Sequence, residues 1–353
     1  MTFFSRRIGA FLAVACMVLA GTAFAVDFEQ LDAFPSAAAS SYGIVMTASP
    51  DGRLLVWDGW TIWEQAFLGG DRFAEVAQGY LGDPGFMALS PDGHRLVLGA
   101  GYSGAVHILD LDAPADYEAD SEILVTGHYS GVMVSENLLL VDRLADDYAT
   151  TELAIVNISA DPASVVTVMA KPPASDFNGG AGEFAVSTAL AVDDAKTAVY
   201  TTGLLYDATF ATLSAQLKRV AVSDLMTAYN AKTQLDWHTD AVAIGADLAF
   251  NVGGPSAVMA NGDLLLGGFG GVQRVNPDTG TVVETYAPAG FDYYGVSHNP
   301  VTDDVYPVVA DPVTWAMDVV YGPAGAIAAL PAMGGTVLVF LAASFLALGR
   351  RRL

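Results

Sequence analysis

The sequence predicts an all-β fold in which one four-stranded sheet repeats along the chain, and two observations carry that expectation. The stretch Ser49-Pro50-Asp51-Gly52 followed by RLLVW returns as Ser90-Pro91-Asp92-Gly93 followed by HRLVL. The same order of strand, acidic or amide turn and strand returns as MVSENLLLVD, ALAVDDAKTAVYTT, AVMANGDLLLGG and VSHNPVTDDVYPVV. Turn residues between two apolar runs mark antiparallel hairpins. With Asp51, Asp92, Glu136, Asp194, Asn261 and Asp303 as markers, successive spacings are 41, 44, 58, 67 and 42 residues. Three of these suit a four-stranded unit, and the two long ones require insertions. Sheets of this size repeated about an axis bury their faces against one another, which is the β-propeller solution. The predicted count is six blades, and the 67-residue spacing leaves room for a degenerate seventh.

Each unit justifies its outer strands in turn. Third strands follow the hairpins as AVHILDLD, ELAIVNIS, LKRVAVSDL and GVQRVNPDTG, and fourth strands as EILVTGH, SVVTVMA, DAVAIGA and TVVETYA. The segment VDFEQLDAFP precedes the first inner strand and reads as a fourth strand without a blade of its own, so it is expected to complete the last blade and close the ring. SPDGRLLVW and SPDGHRLVLGAG resemble WD-repeat or TolB-type turns. HNPVTDDVYPVV is similar to the YVTN repeat, and NPDTGTVVET to quinoprotein-like blades. These resemblances imply a fold far more than a function.

The two ends read as processing segments. MTFFSRRIGAFLAVACMVLAGTAFA has Arg6 and Arg7, an apolar run from Ile8 to Ala20, and Ala23-Phe24-Ala25 as a cleavage site, so residues 1–25 form a signal peptide. A lipobox ending at Cys16 is the competing reading. Cys16 is the only cysteine, so cleavage before Val26 leaves a chain without disulfide or thiolate chemistry. Ala332 to Gly349 carries no charge. As a helix rising about 1.5 Å per residue it covers roughly 27 Å, close to the thickness of a hydrocarbon core. Arg350, Arg351 and Arg352 would then lie on the cytoplasmic side. The order of Leu330, Pro331, Gly334, Gly335, apolar span and arginine cluster resembles bacterial C-terminal sorting signals of the PEP-CTERM kind. The motif departs from Pro-Glu-Pro, and its glycine pair is similar to signals handled by rhomboid-like proteases. The resemblance implies an exported protein of the bacterial cell envelope, with a processing protease of exosortase or rhomboid type as partner. It is then either held in the membrane by residues 330–353 or released by cutting.

The intervening residues 26–329 contain all 39 acidic residues, while five of the 15 basic ones lie in the end segments. A field of that sign repels nucleic acid and anionic membrane surfaces.

Alternating strand direction places the hairpin turns on one face and the links between units on the other. The links read ASSYGIV, GYLGDPGFMA, GHYSGVMV, KPPASDFNGGAGEFAV, DLAFNVGGPSAV and AGFDYYGVSH. Tyr42, Phe86, Tyr129, Phe184, Tyr293 and Tyr294 recur just before inner strands, with His128, Asp292 and His298 beside them. Together they are the expected binding residues at the mouth of the channel, weighed against a plain packing role. Asp176, Asn178 and Glu183 offer oxygen ligands on a glycine-rich loop of the kind calcium accepts, without EF-hand spacing. Asp110, Asp112, Asp116, Glu118 and Asp120 form a second acidic group, more simply read as solvated. No G-x-S-x-G, H-E-x-x-H or Walker-type motif is present, and five histidines are scattered without ligand spacing.

Two functions follow as expectations. The first is a non-catalytic module on the envelope, binding a protein, polysaccharide or matrix component. The second is a secreted metal-dependent lactonase or other hydrolase, its ligands gathered from several blades. A quinoprotein-like dehydrogenase ranks last, since it rests on the NPDTG turn alone.

Overall fold

The computed structural model describes residues 28–30, 44–66, 73–78, 82–101, 104–112, 121–125, 127–145, 150–160, 163–171, 189–206, 212–246, 251–287, 293–310, 313 and 317–323. The chain divides into two compact units, residues 1–29 with 323–353, and residues 30–322. The signal peptide, the apolar C-terminal span and its arginines lie outside the described residues. Among the described residues no helix is long and apolar enough to cross a membrane. Strand β1 is Phe28–Gln30.

The first sheet holds β2 (Val45–Ala48), β3 (Leu54–Trp57), β4 (Thr61–Gln65) and β5 (Phe73–Gln78) in that order. The second holds β6 (Phe86–Leu89), β7 (Arg95–Gly99), β8 (Ala105–Asp110) and β9 (Ser121–Leu124). A third runs β10 (His128–Ser135), β11 (Leu138–Leu144), β12 (Thr151–Asn157) and β13 (Ser164–Ala170). The fourth begins with β14 (Leu190–Val192), β15 (Ala198–Tyr206) and β16 (Thr212–Ala221). Helix α1 (Val222–Ala231) interrupts there, followed by β17 (Leu235–Asp236), which pairs in parallel with β13, and β18 (Val242–Ala243), which pairs with β16. Next come β19 (Asn251–Val258), β20 (Leu264–Phe269), β21 (Gly271–Val275) and β22 (Val282–Tyr286), then β23 (Tyr293–Asn299), β24 (Asp304–Ala310) and β25 (Met317–Pro323). The innermost strands stand side by side in a closed ring, β2, β6, β10, β14, β19, β23 and β2 again. The chain is a β-propeller.

The blade count is five, not six. The segments expected as fifth and sixth blades, β19–β22 and β23–β25, lie in one sheet, joined where Phe269 of β20 pairs with Tyr293 of β23. The packing agrees. Each apolar cluster fills the joint between two neighbouring sheets, as with Trp57, Leu96 and Leu98 between the first and second. Among the described residues none of these clusters lies between β19–β22 and β23–β25.

Turn chemistry explains the hairpins. In the first, the Ser49 hydroxyl donates to Asp51 Oδ1 at 2.6 Å and Gly52 N donates to Ser49 O at 2.9 Å, with Gly52 at φ +82°. A side chain is disfavoured in that left-handed conformation, hence the glycine. The turn of Ser90 to Gly93 repeats this, with Gly93 at φ +78°. A Cβ on Gly93 would come within 2.1 Å of Pro50, so the second turn sits directly on the first. Neighbouring turns are clasped elsewhere too. Asp92 N donates to Glu136 Oε2 at 3.0 Å, Ala260 N to Asp303 Oδ1 at 3.3 Å, and Asn299 Nδ2 to Gly52 O.

The 67-residue spacing holds the helical insertion. LKRVAVSDL was expected to be strand throughout, but the strand ends at Ala221 and Val222, Leu225 and Ala228 turn inward at helical spacing. They pack in the joint between the third and fourth sheets beside Trp237. Tertiary burial thus overrides a β-like start. The outer strand β18 is left with only Val242 and Ala243.

Candidate functional site

Apart from β23, which also meets β20 at Tyr293, each innermost strand pairs within its own repeat on one side and leaves its other edge open toward the axis. The ring of these strands encloses a cavity of about 510 Å³, lined by Met46, Phe86, Ser130, Val132, Ser256 and Ser297 among others. Ser297 also spans the ring, its hydroxyl donating to Met46 O at 3.2 Å. Hydroxyls and strand edges around apolar walls suit a ligand that offers hydrogen bonds as well as apolar surface.

At the end of the channel where the links enter, Phe86 and His128 are brought together. Their rings meet edge to face, with centroids 5.4 Å apart and planes at 69°. Two glycines make room for Phe86, because a Cβ on Gly99 or Gly131 would lie 2.1 or 2.5 Å from its ring. Phe86 is buried, as the packing alternative expects, and it also lines the cavity.

His128 is fully buried. Its Nδ1 lies 3.1 Å from the Val125 carbonyl, which can only accept, so that nitrogen carries the hydrogen. Burial lowers the ring's pKa from 6.5 to about 4, against the pull of the Val125 carbonyl. The neutral ring therefore presents Nε2 as an acceptor, and that atom has no partner among the described residues. Ser130, two residues on and lining the cavity, likewise has a buried hydroxyl without a partner among the described residues. Buried polar atoms are nearly always paired, so the Ser130 hydroxyl marks a place for a bound group, while His128 does not itself line the cavity and touches Phe86, which does.

The other end carries different chemistry. His298 lies near the far end of β23, its Nε2 donating to Asp303 Oδ1 at 2.8 Å. Asp194 and Lys196 line the cavity at that end, and burial lowers the Lys196 pKa against the nearby Asp194 and Asp193 carboxylates. His128 and His298, expected on one face, are thus separated by the length of the inner strands. Tyr129 belongs to β10, and Tyr293 and Tyr294 begin β23, opposite Ala310 and Val309. Tyr42, Phe184, Asp292, and the calcium candidates Asp176, Asn178 and Glu183, lie outside the described residues. Among the described residues, no three His, Cys, Asp or Glu side chains gather to hold a metal. In the second acidic group, Asp112 pairs with the exposed His94, its Oδ2 2.8 Å from Nδ1, and this raises the histidine's pKa.

The sequence reading missed a buried charge cluster. Lys171 Nζ pairs with Asp142 Oδ2, both side chains at 0 % exposure. It also donates to Thr201 Oγ1 at 3.1 Å and to the Thr202 carbonyl at 2.9 Å. The ammonium lies 5.3 Å from the Trp237 ring centre, and Lys218 lies 4.8 Å from it while donating to the Trp237 carbonyl at 2.6 Å. Burial lowers the pKa of both lysines. Lys171 opens the KPPASDF link and Asp142 closes LLLVD, with nothing in either stretch to announce the other.

Fold and channel define the class, a β-propeller with a central cavity. No family model matches the chain, and none of the curated proteins does. Solved structures match in fold. A gluconolactonase from Xanthomonas campestris aligns at TM-score 0.53 and 10 % identity, covering 86 % of this chain and 97 % of that one. A calcium-binding protein, regucalcin, from Agrobacterium tumefaciens aligns at 0.50 and 13 %, covering 85 % and 94 %. The β-propeller domain of Cps50 (Swd1) from Myceliophteria thermophila aligns at 0.50 and 11 %, covering 84 % and 99 %. At such identities the likeness is one of fold.

Proposed function

We propose that the chain is an exported propeller of the bacterial cell envelope that acts as a non-catalytic binding module. It takes its ligand at the link end of the channel. The observation that carries this is the pairing of the 510 Å³ cavity with the buried Ser130 Oγ that lines it and has no partner among the described residues. That hydroxyl donates to or accepts from a ligand hydroxyl or amide. Residues 1–25 direct export, and residues 330–353 anchor the module or are removed by an exosortase- or rhomboid-type protease.

Two measurements on the full chain test it. Binding to an isolated envelope fraction should fall at least tenfold in Ser130→Ala with the melting temperature unchanged, and equal binding would remove the channel from the reading. The intact mass of protein from native envelopes should end near residue 330 if the tail is a removable sorting signal. The full tail would make it a plain anchor.

The gluconolactonase and regucalcin likenesses favour a second reading, a metal-dependent lactonase or other hydrolase. Its ligands would be gathered at the channel mouth from several blades, with Asp176, Asn178 and Glu183 as the calcium candidates. A rise in melting temperature with calcium that a chelator reverses, together with lactone hydrolysis, would put this reading first.

A further inference from the structure

The hairpin turns at the end of the channel away from the links share one geometry. The amides of Gly52, Gly93, Gly262 and Lys196 each donate to the carbonyl three residues back, on Ser49, Ser90, Met259 and Asp193, at 2.8 to 2.9 Å. Their φ angles are +82°, +78°, +88° and +54°. Three repeats thus place glycine where the backbone turns left-handed, and the fourth places a lysine there against the steric preference of its side chain. Lys196 is half-buried and lines the cavity, as does Asp194 two residues before it. Asp193 is committed to the turn itself: Oδ1 accepts from Thr197 N at 2.7 Å and Ala198 N at 2.9 Å, and Oδ2 from the Thr197 hydroxyl. Burial disfavours the Lys196 ammonium, and the Asp194 and Asp193 carboxylates favour it through charge rather than a hydrogen bond. His298, which also lines this end, is engaged by Asp303.

We propose that the turn end of the channel is a second binding site, for a small zwitterion of the apolar α-amino-acid class, with Lys196 taking its carboxylate and Asp194 its ammonium. The two side chains present opposite charges to one cavity from a single turn. A plain anion drawn to Lys196 meets Asp194 and a chain of formal charge −24, and a plain cation drawn to Asp194 meets Lys196. A zwitterion gives each residue its opposite and carries no net charge into that field. Pro50, Leu89, Pro91, Val192 and Pro300 wall the same end, so the body that accompanies the two charges is apolar. A ligand of this kind also accounts for a lysine kept where the sister turns have glycine, since a strained backbone persists where it positions a functional side chain.

The site goes beyond the binding-module reading and draws on neither Ser130 nor an envelope ligand, so either can fail alone. Equilibrium dialysis of the full chain against labelled leucine and phenylalanine tests it. At least one should bind. Its half-ligands, isocaproate and isoamylamine for leucine, hydrocinnamate and phenethylamine for phenylalanine, should bind at least tenfold more weakly. Lys196→Gly should lose at least tenfold in affinity without a fall in melting temperature, because glycine fits the left-handed position. Asp194→Asn, at an exposed position, should lose as much and keeps the lysine turn intact. Wild-type affinity in either variant, a half-ligand that binds as tightly as its amino acid, or no binding of either amino acid by the wild type would overturn the site.

Discussion

Between the first and second sheets the described core is apolar, with Trp57, Leu96 and Leu98 all at 0 % exposure. Between the third and fourth, Leu140, Leu153 and Val199 are buried to the same degree, but a lysine and an aspartate are buried beside them. The first joint draws on area alone, which is non-directional and tolerates small shifts. The second adds an interaction that is satisfied in only one relative position of the two sheets. The Lys171 ammonium must reach Asp142 on β11 and both Thr201 and Thr202 on β15. This joint also receives the helical insertion and the shortened outer strand. The buried pair therefore acts as a register pin where the regular pattern of strands is broken.

The sharpest way to break the comparison is to remove one charge. Lys171→Met leaves the Asp142 carboxylate buried and uncompensated, which costs about 3–5 kcal/mol, seen as a lower denaturation midpoint. Adding Asp142→Leu should return most of that loss, since replacing both members of a buried pair by apolar groups is close to neutral. At the apolar joint, Leu98→Ala costs about 2–5 kcal/mol through lost burial and the cavity left behind, and no second polar change rescues it. Rescue at one joint only would establish the difference between them. Failure of the double variant to recover would make the Asp142–Lys171 site another packed joint.

A third joint, between the second and third sheets, adds a pH dependence in the acid range. His128 has a pKa of about 4 when folded, because of burial, against 6.5 for the free side chain. Between those values the unfolded chain binds a proton that the folded chain refuses, so stability falls as pH drops from 6.5 toward 4. The full loss is about 3 kcal/mol, and none of it is present above pH 6.5. His128→Phe should flatten this part of the profile. Melting at pH 7 and pH 4 checks it, read as the difference between variant and wild type, which removes the common effect of the acidic surface.

Much of the fold was legible because its signals are local. Ser-Pro-Asp-Gly specifies a hairpin within four residues, and strands such as SVVTVMA and ELAIVNIS stand where expected. The count failed because a blade boundary is not a local property. Whether β20 meets β23 depends on one pairing between Phe269 and Tyr293, across a link whose sequence resembles the others. The site was half legible for the same reason. Phe86 and His128 were named from their place before inner strands, and they do meet. His298 was grouped with them through the link that precedes it, although it comes five residues into β23 and belongs to the opposite end. The Asp142–Lys171 pair was out of reach, because 29 residues separate its members and neither sits in a motif.

The smallest effect concerns how the ring is held where the last sheet meets the first. Asn299, at 0 % exposure, reaches across to the Gly52 carbonyl with Nδ2 while its Oδ1 accepts from Val301 N at 3.0 Å. One side chain thus shapes its own turn and clasps the turn of the first blade. Asn299→Ala removes these bonds, together with a longer one from Thr302 N at 3.4 Å, a loss of about 1–3 kcal/mol. Asn299→Asp separates the two roles. It keeps the acceptor for Val301 N but turns a carboxylate oxygen toward the Gly52 carbonyl, where two acceptors repel. Asp should therefore destabilise at least as much as Ala at pH 7 and recover part of the loss when protonated at low pH, opposite in direction to the His128 effect. If Asp instead matches the wild type at pH 7, the clasp across the joint contributes nothing and the turn alone accounts for Asn299.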